Sequence, residues 1–427
     1  MSHFIRWSYR RKDLPPARLR ISLFQGRGLP ITEAQIPPFS MTPPVPITLI
    51  VPKESPPDEP EDSPIPGPLV SSIEGPLELS GLILGAGTFS NQYNTDDHLS
   101  SFAPMRLIRL ALRYGIRTFD TSIYYGPSEV VLGNALKMIE AEFPRDSYKL
   151  MTKCGRFGAT NFDYSPHAIR NSVQQSLQRL QTSYLDTVYL HDIEFVCTPV
   201  APAKTGNHGM ALKGQAAAYG LVEGDEAKIH GEGDQKVLDA FAELRKMKEE
   251  GLIRNIGITG YPVPTLLRLA LLILHTSPFQ PVDVILSYSN LTLQNTIFAD
   301  FTPHFRERAK VAQLVVASPF SMGLLTPSIP PWHPAPPELR AAVTEVRRQT
   351  GERFTDLALG YAIKKAHWGI KAPLVVGFSN AKEVHECARV WRDIQENGNS
   401  EERVNEEKKA EELIEKSGFM NWCWASP

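Results

Sequence analysis

Four residues of this 427-residue chain could together move a proton at a carbonyl or alcohol carbon: Asp120, Tyr125, Lys153 and His191. A tyrosine phenol, with a reference pKa of about 10, is a poor proton acceptor at neutral pH. A nearby ammonium favours the phenolate, and a carboxylate paired to that ammonium holds it in place. Tyr125, Lys153 and Asp120 supply these parts. His191 can donate a hydrogen bond that orients a substrate oxygen. Hydride must come from a cofactor, since no side chain can supply it. The sequence shows no carboxylate cluster for a metal, and no Ser or Cys nucleophile with an obvious base.

Each of the four residues falls where an apolar strand ends. Thr118-Phe-Asp-Thr-Ser122 reads as a short buried strand, followed by the Gly126-Pro127 turn and a helical pattern from Ser128. Lys153 ends the strand from Lys149, and His191 ends the strand from Asp186. A Tyr before Gly, a strand-end Lys or a lone His each has an ordinary structural explanation. Their joint placement at the ends of consecutive strands points to chemistry, because parallel α/β folds carry their sites there.

The elements that position them form a series. Strands are predicted at 82–89, 118–122, 149–155, 186–192, 254–259, 282–288, 313–319 and 373–378, each followed by helix. Strands alternating with helices imply a parallel sheet, and eight such units in about 300 residues predict a closed (β/α)₈ TIM barrel of the α/β class. An open doubly wound sheet is the alternative. Gly85-Ala-Gly87 runs on to Phe89 and Asn91 without the GxGxxG pattern that such a sheet would use for a dinucleotide.

The barrel is expected over residues 77–394. Residues 192–234 interrupt its rhythm, and a loop of this length reads as a lid, a binding loop or a disordered segment. Residues 1–76 hold sixteen prolines and are expected to be a disordered extension. The basic first 28 residues admit a mitochondrial targeting segment, although Pro15-Pro16 interrupts the helix that it needs. Met41, where the composition turns acidic and Pro-rich, is an alternative start. Residues 395–427 read as a solvated charged helix followed by an aromatic tail, Phe419, Trp422 and Trp424, which either rims a pocket or covers core.

With 42% hydrophobic residues and a formal net charge of −2, the chain can bury a large core and gives no reason to expect nucleic acid or membrane as partner. Cys154, Cys197, Cys387 and Cys423 lack ligand or disulfide spacing, which fits a reducing, cytoplasmic location. Oligomeric state is not legible.

The motif Phe119-Asp-Thr-Ser-Ile-Tyr-Tyr-Gly-Pro-Ser-Glu-Val-Val-Leu-Gly133 resembles that of the aldo-keto reductases, and Met151-Thr-Lys153 and Tyr189-Leu-His191 match their next two catalytic segments in order. The resemblance spans residues 77–394. It implies a (β/α)₈ barrel, a catalytic tetrad of Asp120, Tyr125, Lys153 and His191, and NAD(P)(H) bound without a Rossmann motif. It further implies cofactor contacts at Gly87, Thr88, Thr259, Gly260, Tyr288, Ser318, Pro319, Phe320, Gly323, Leu325, Gly377, Ser379, Lys382 and Glu383. His191-Asp-Ile-Glu-Phe195, Val282-Asp-Val-Ile-Leu-Ser-Tyr288 and the 418–427 segment resemble the D-arabinose and L-galactose dehydrogenases, which oxidise an aldose C1 hydroxyl to a lactone. Where the family often has Ser-Asn holding the nicotinamide amide, this chain has Thr259-Gly260. Only Lys382 is basic between Gly377 and Glu383, which favours NAD while leaving NADP open. The alternatives are a broad NADPH-dependent aldehyde or ketone reductase, and a regulatory subunit on the same barrel like the potassium-channel β-subunits.

Overall fold

The computed structural model describes residues 49–52, 54–72 and 75–426. The targeting segment that the basic first 28 residues admit, and the extension as far as residue 48, lie outside the described residues. Eight strands form one closed parallel barrel: β1 (Leu82–Gly85), β2 (Thr118–Asp120), β3 (Lys149–Cys154), β4 (Leu185–Leu190), β5 (Ile253–Gly260), β6 (Val284–Tyr288), β7 (Gln313–Ala317) and β8 (Leu374–Gly377). β8 pairs back onto β1 with Gly377 opposite Gly85, so the sheet has no edge and the open alternative is excluded.

The period of two along the strands separates two cores. Ile83, Met151, Tyr189, Val284, Leu286, Val315 and Val375 point inward and fill the barrel, with Leu77 and Leu79 packed among them. Leu82, Leu84, Phe119, Leu150, Val188 and Leu190 point outward against the helices. Gly257 is required beside Tyr189, because a Cβ there would lie 2.1 Å from the Val284 carbonyl oxygen. The helices used below are α1 (Asp96–Leu99), α2 (Ala103–Arg113), α3 (Ser128–Met138), α4 (Pro166–Arg179), α5 (Glu232–Glu249), α6 (Val263–Leu274), α7 (Ile297–Glu307), α8 (Pro337–Thr350), α9 (Phe354–Ile363), α10 (Ala381–Asn397) and α11 (Glu401–Lys416). Their starts follow local rules. Pro104 and Pro166 stand in first turns, and Ser165, Asn380 and Ser400 cap with side-chain oxygens.

Four expectations need correction. The first strand ends at Gly85, and Ala86–Phe89 is a 3₁₀ turn, because Thr88 Oγ1 donates to the Phe378 carbonyl (2.6 Å) and pulls the chain across to β8. Among residues 49–76, the described part is not free chain. Asp62 is buried, accepts from the Glu59 N–H and pairs with Arg106, while Asp58 pairs with Arg109 and Arg113. Tyr114 accepts from the Ile65 N–H (2.9 Å), and Val70 joins the core. Carboxylates and backbone, helped by a few apolar side chains such as Val70 and Val51, hold this strap on the barrel.

The 192–231 stretch is ordered through three 3₁₀ turns, Ile193–Phe195, His208–Leu212 and Ala216–Tyr219. Arg268 on α6 reaches it, donating to Asp234 (2.7 and 3.0 Å) and to the Thr198 carbonyl (3.0 Å). Lastly, α11 is not solvated all round. Arg403, Glu407, Ala410 and Ile414 are buried, with Glu407 taking both Arg403 and Lys364. The aromatic tail packs back: Trp424 is buried and stacks on Tyr261 with ring centroids 5.8 Å apart. Gly206 and Cys423 form an antiparallel bridge, tying the tail to the long loop.

Candidate active site

Asp120 is the last residue of β2, Lys153 the penultimate residue of β3, and His191 follows β4 directly. Tyr125 sits on the turn between β2 and α3. Its N–H donates to the Ser122 carbonyl (3.1 Å), and Gly126 adopts φ +57°, a backbone region that favours glycine. The four side chains converge at one barrel mouth. Lys153 Nζ donates to Asp120 Oδ2 (2.5 Å) and to the Thr121 carbonyl (3.1 Å), and lies 4.8 Å from the centre of the Tyr125 ring. The Tyr125 and His191 rings meet edge-on at 5.8 Å.

Asp120, Lys153 and His191 are buried and Tyr125 is half-buried, and removal from water sets their titration. It works against the Lys153 charge, but Asp120 and Tyr125 outweigh it and hold the ammonium above its usual value. Burial raises the Asp120 carboxyl and Lys153 pulls it back. The 2.5 Å contact and the second acceptor on Nζ make this an ion pair. Burial pushes the Tyr125 phenol up to about 12, with Lys153 opposing and Asp120 and Asp192 adding to the rise. The expectation of a lowered phenol is therefore corrected: Lys153 limits the rise without reversing it, and the resting tyrosine is neutral. Burial, helped by Lys153 and Arg156, drops His191 well below its usual value, so the imidazole is neutral. Its Nδ1 faces Ser122 Oγ (3.0 Å). With Ser122 donating there, the ring proton sits on Nε2.

The residues expected at the cofactor lie on an arc of the same mouth, across β1 and β5–β8. A Cβ at Gly87 would stand 3.6 Å from the Tyr125 ring, so glycine keeps that approach open. Thr88 and Ser379 are knit together by Asn94, which donates to both the Thr88 carbonyl (2.8 Å) and Ser379 Oγ (3.0 Å), and a Cβ at Gly377 would lie 2.9 Å from the Thr88 methyl. Tyr288 ends β6. Ser318, with φ +60°, accepts the Met322 N–H (3.1 Å) and shapes the Ser318-Pro319-Phe320 turn. Gly323 adopts φ +96° within it. Leu325 is fully buried behind this turn and is core rather than lining. Glu383 is buried and folds back to accept from the Ser379 N–H (2.7 Å) and Asn380 (3.0 Å), while Lys382 is half-exposed, 3.8 Å from Glu386.

Several site residues escaped the sequence reading. Asp192, in left-handed backbone, pairs with Arg156 and places Oδ2 3.5 Å from His191 Nε2. Arg156 lies over the rings of Tyr124, Phe162 and Phe195. Glu194 fills the space beside Gly260: a Cβ at 260 would lie 2.3 Å from Glu194 Oε2. The only signal for the two acids was their place in the His191–Phe195 segment.

The model of the aldo/keto reductase family matches residues 81–401. The chain belongs to the aldo-keto reductase family. D-arabinose 1-dehydrogenase of Saccharomyces cerevisiae is 36% identical over 326 residues, covering 75% of this chain and 85% of that protein. L-galactose dehydrogenase of Arabidopsis thaliana is 34% identical over 322 residues, covering 74% and 85%. The same barrel is seen in the glycerol dehydrogenase of Gluconobacter oxydans, at TM-score 0.52 and 21% identity, covering 82% of this chain and 97% of that one. As an aldo-keto reductase the protein is an oxidoreductase, and the family uses NAD(P)(H). The site has features that fit such a cofactor: the open approach at Gly87, the N-terminal end of α10 beside Ser379, and an unpartnered buried oxygen on Glu194.

Proposed function

We propose that this aldo-keto reductase oxidises the C1 hydroxyl of an aldose to a lactone, with NAD as its hydride acceptor. The observation that carries the reading is the pair of sugar dehydrogenases it resembles along most of their length, with the four converging side chains intact in this chain. When bound, the nicotinamide takes up hydride from the reacting carbon. The rest falls to the protein. His191 Nε2–H orients the substrate oxygen, and the Tyr125 oxygen accepts the hydroxyl proton as the C–O bond gains double-bond character. Lys153, fixed by Asp120, stabilises the phenolate form that accepts it.

The preference for NAD rests on the turn before α10. A 2′-phosphate needs charge-assisted donors. Here Glu383 occupies the turn, Lys382 is near Glu386, and Arg389 is engaged by Asp356 (2.5 Å). The discrimination expected is about 1–3 kcal/mol, the scale of a lost charged hydrogen bond. The four buried, unpaired cysteines suit a reducing compartment such as the cytoplasm. Steady-state kinetics with D-arabinose, L-galactose and simple alcohols, each with NAD⁺ and NADP⁺, test the reading. Higher kcat/KM for an aldose with NAD⁺ supports it. Preference for simple aldehydes with NADPH would replace it by a general reductase.

A further inference from the structure

We infer that Glu194 is the residue that holds the amide of the bound nicotinamide, donating a hydrogen bond from Oε2 in the space that a side chain at position 260 would otherwise fill. The inference rests on the NAD-dependent reading above. Glu194 lies three residues beyond His191, on the turn after β4, and its carboxyl group sits on the end of β5. A ring that exchanges hydride must touch the carbon held by Tyr125 and His191. An amide on that ring then falls against a neighbouring strand end, and β5 is the next strand after the one that carries His191.

The two carboxyl oxygens are not equivalent. Oε1 accepts the Tyr261 N–H (2.9 Å) and the Ser426 hydroxyl (2.8 Å). Oε2 is buried and has no hydrogen-bond partner among the described residues, an arrangement costly enough to need an explanation. Burial, with Asp192 close by, pushes the carboxyl up to about 8, whereas the Tyr261 and Ser426 bonds pull it down. The other groups facing it are Tyr164, Cys197 and Tyr288, all held neutral by burial. Below about 8 the group is therefore a neutral acid. Two donors already point at Oε1, so the proton resides on Oε2, where it can be donated to an amide oxygen. A neutral carboxyl group in this position does what an asparagine amide would do. A Cβ at Gly260 would displace this carboxyl, and Glu194 supplies the function from the turn after β4.

The test is equilibrium titration of wild type, Glu194→Gln and Glu194→Ala with NAD⁺ and with ADP-ribose, which lacks the nicotinamide, at pH 6.5 and pH 9.5. Ionisation above about 8 removes the Oε2 donor. Wild-type affinity for NAD⁺ should fall roughly tenfold between the two values, the cost of a hydrogen bond, relative to ADP-ribose. Glu194→Gln keeps a permanent donor and should bind NAD⁺ equally at both. Glu194→Ala should match wild type at pH 9.5 and leave ADP-ribose binding unchanged. Equal losses for both ligands would make Glu194 merely a structural prop and overturn the inference, as would identical pH dependence in wild type and Glu194→Gln. Wild-type protein that binds neither ligand would overturn the dehydrogenase reading and this inference with it.

Discussion

Lys153→Met should displace the whole pH–rate profile of sugar oxidation without changing its slope. The Tyr125 phenol stands at about 12, so at accessible pH only a small fraction is phenolate, and that fraction grows tenfold per pH unit. Lys153 Nζ lies 4.8 Å from the ring centre. At an effective dielectric of about 20, a unit charge at that distance is worth about 3.5 kcal/mol, or about 2.5 pH units. Some of this is returned. Asp120 raises the phenol and, without Lys153, burial drives its carboxyl further towards the neutral acid, which weakens that effect. The net rise is then roughly one to two units, and kcat should fall roughly 10- to 100-fold at every pH from 6.5 to 10. The assay is kcat at saturating aldose and NAD⁺ for wild type, Lys153→Met and the double variant Lys153→Met/Asp120→Asn. The double variant should match the single one. Superimposable wild-type and Lys153→Met profiles would mean that Lys153 is only a buried structural cation and that the tyrosine is tuned by something else.

Tyr125→Phe should lower kcat by about 10²–10⁴-fold while NAD⁺ affinity, read by fluorescence quenching, stays within about twofold. Asp62→Ala should cost about 1.5–3 kcal/mol in a urea titration, since it strips a buried carboxylate from Arg106 and from the Glu59 N–H; an unshifted midpoint would show that the strap adds nothing to the fold. Gly260→Ala introduces a Cβ 2.3 Å from Glu194 Oε2, so it should displace that carboxyl and abolish the pH dependence of NAD⁺ binding with little change in melting temperature. Retained pH dependence would place the titrating group elsewhere.

The barrel was legible because its strands are short apolar runs and its helices carry stripes at a different period, and these patterns need no tertiary information. The convergence of the four side chains was legible for the same reason: Asp120, Lys153 and His191 sit at strand ends fixed by those patterns. What escaped depends on pairs distant in sequence. Arg106, Arg109 and Arg113 recur along α2, but nothing in the sequence says that Asp58 and Asp62 answer them. Glu407 reads as one more exposed acid until Arg403 and Lys364 are seen around it. The tetrad's residue types suggested an activated phenolate, whereas burial decides in the other direction, and burial is a property of the fold. In sequence Glu194 is distinguished only by its neighbours in the His191–Phe195 segment, and its chemistry appears only when the empty position of Gly260 lies beside it in space.

The bond from Ser426 to Glu194 spans 232 residues, and this has a consequence in time. At about 5–20 residues per second, a ribosome needs roughly 10–50 s to travel from one partner to the other. During that interval the nascent chain carries His191 and Glu194 but nothing to seat the carboxyl from the tail side. Tyr261 also waits for the Trp424 ring that stacks on it. β5 to β8 are made within the same interval, and β8 can pair with β1 only after Gly377 has been added. Closure of the barrel and arrival of the Ser426 hydroxyl are therefore nearly simultaneous, and the mouth and its wall are completed together.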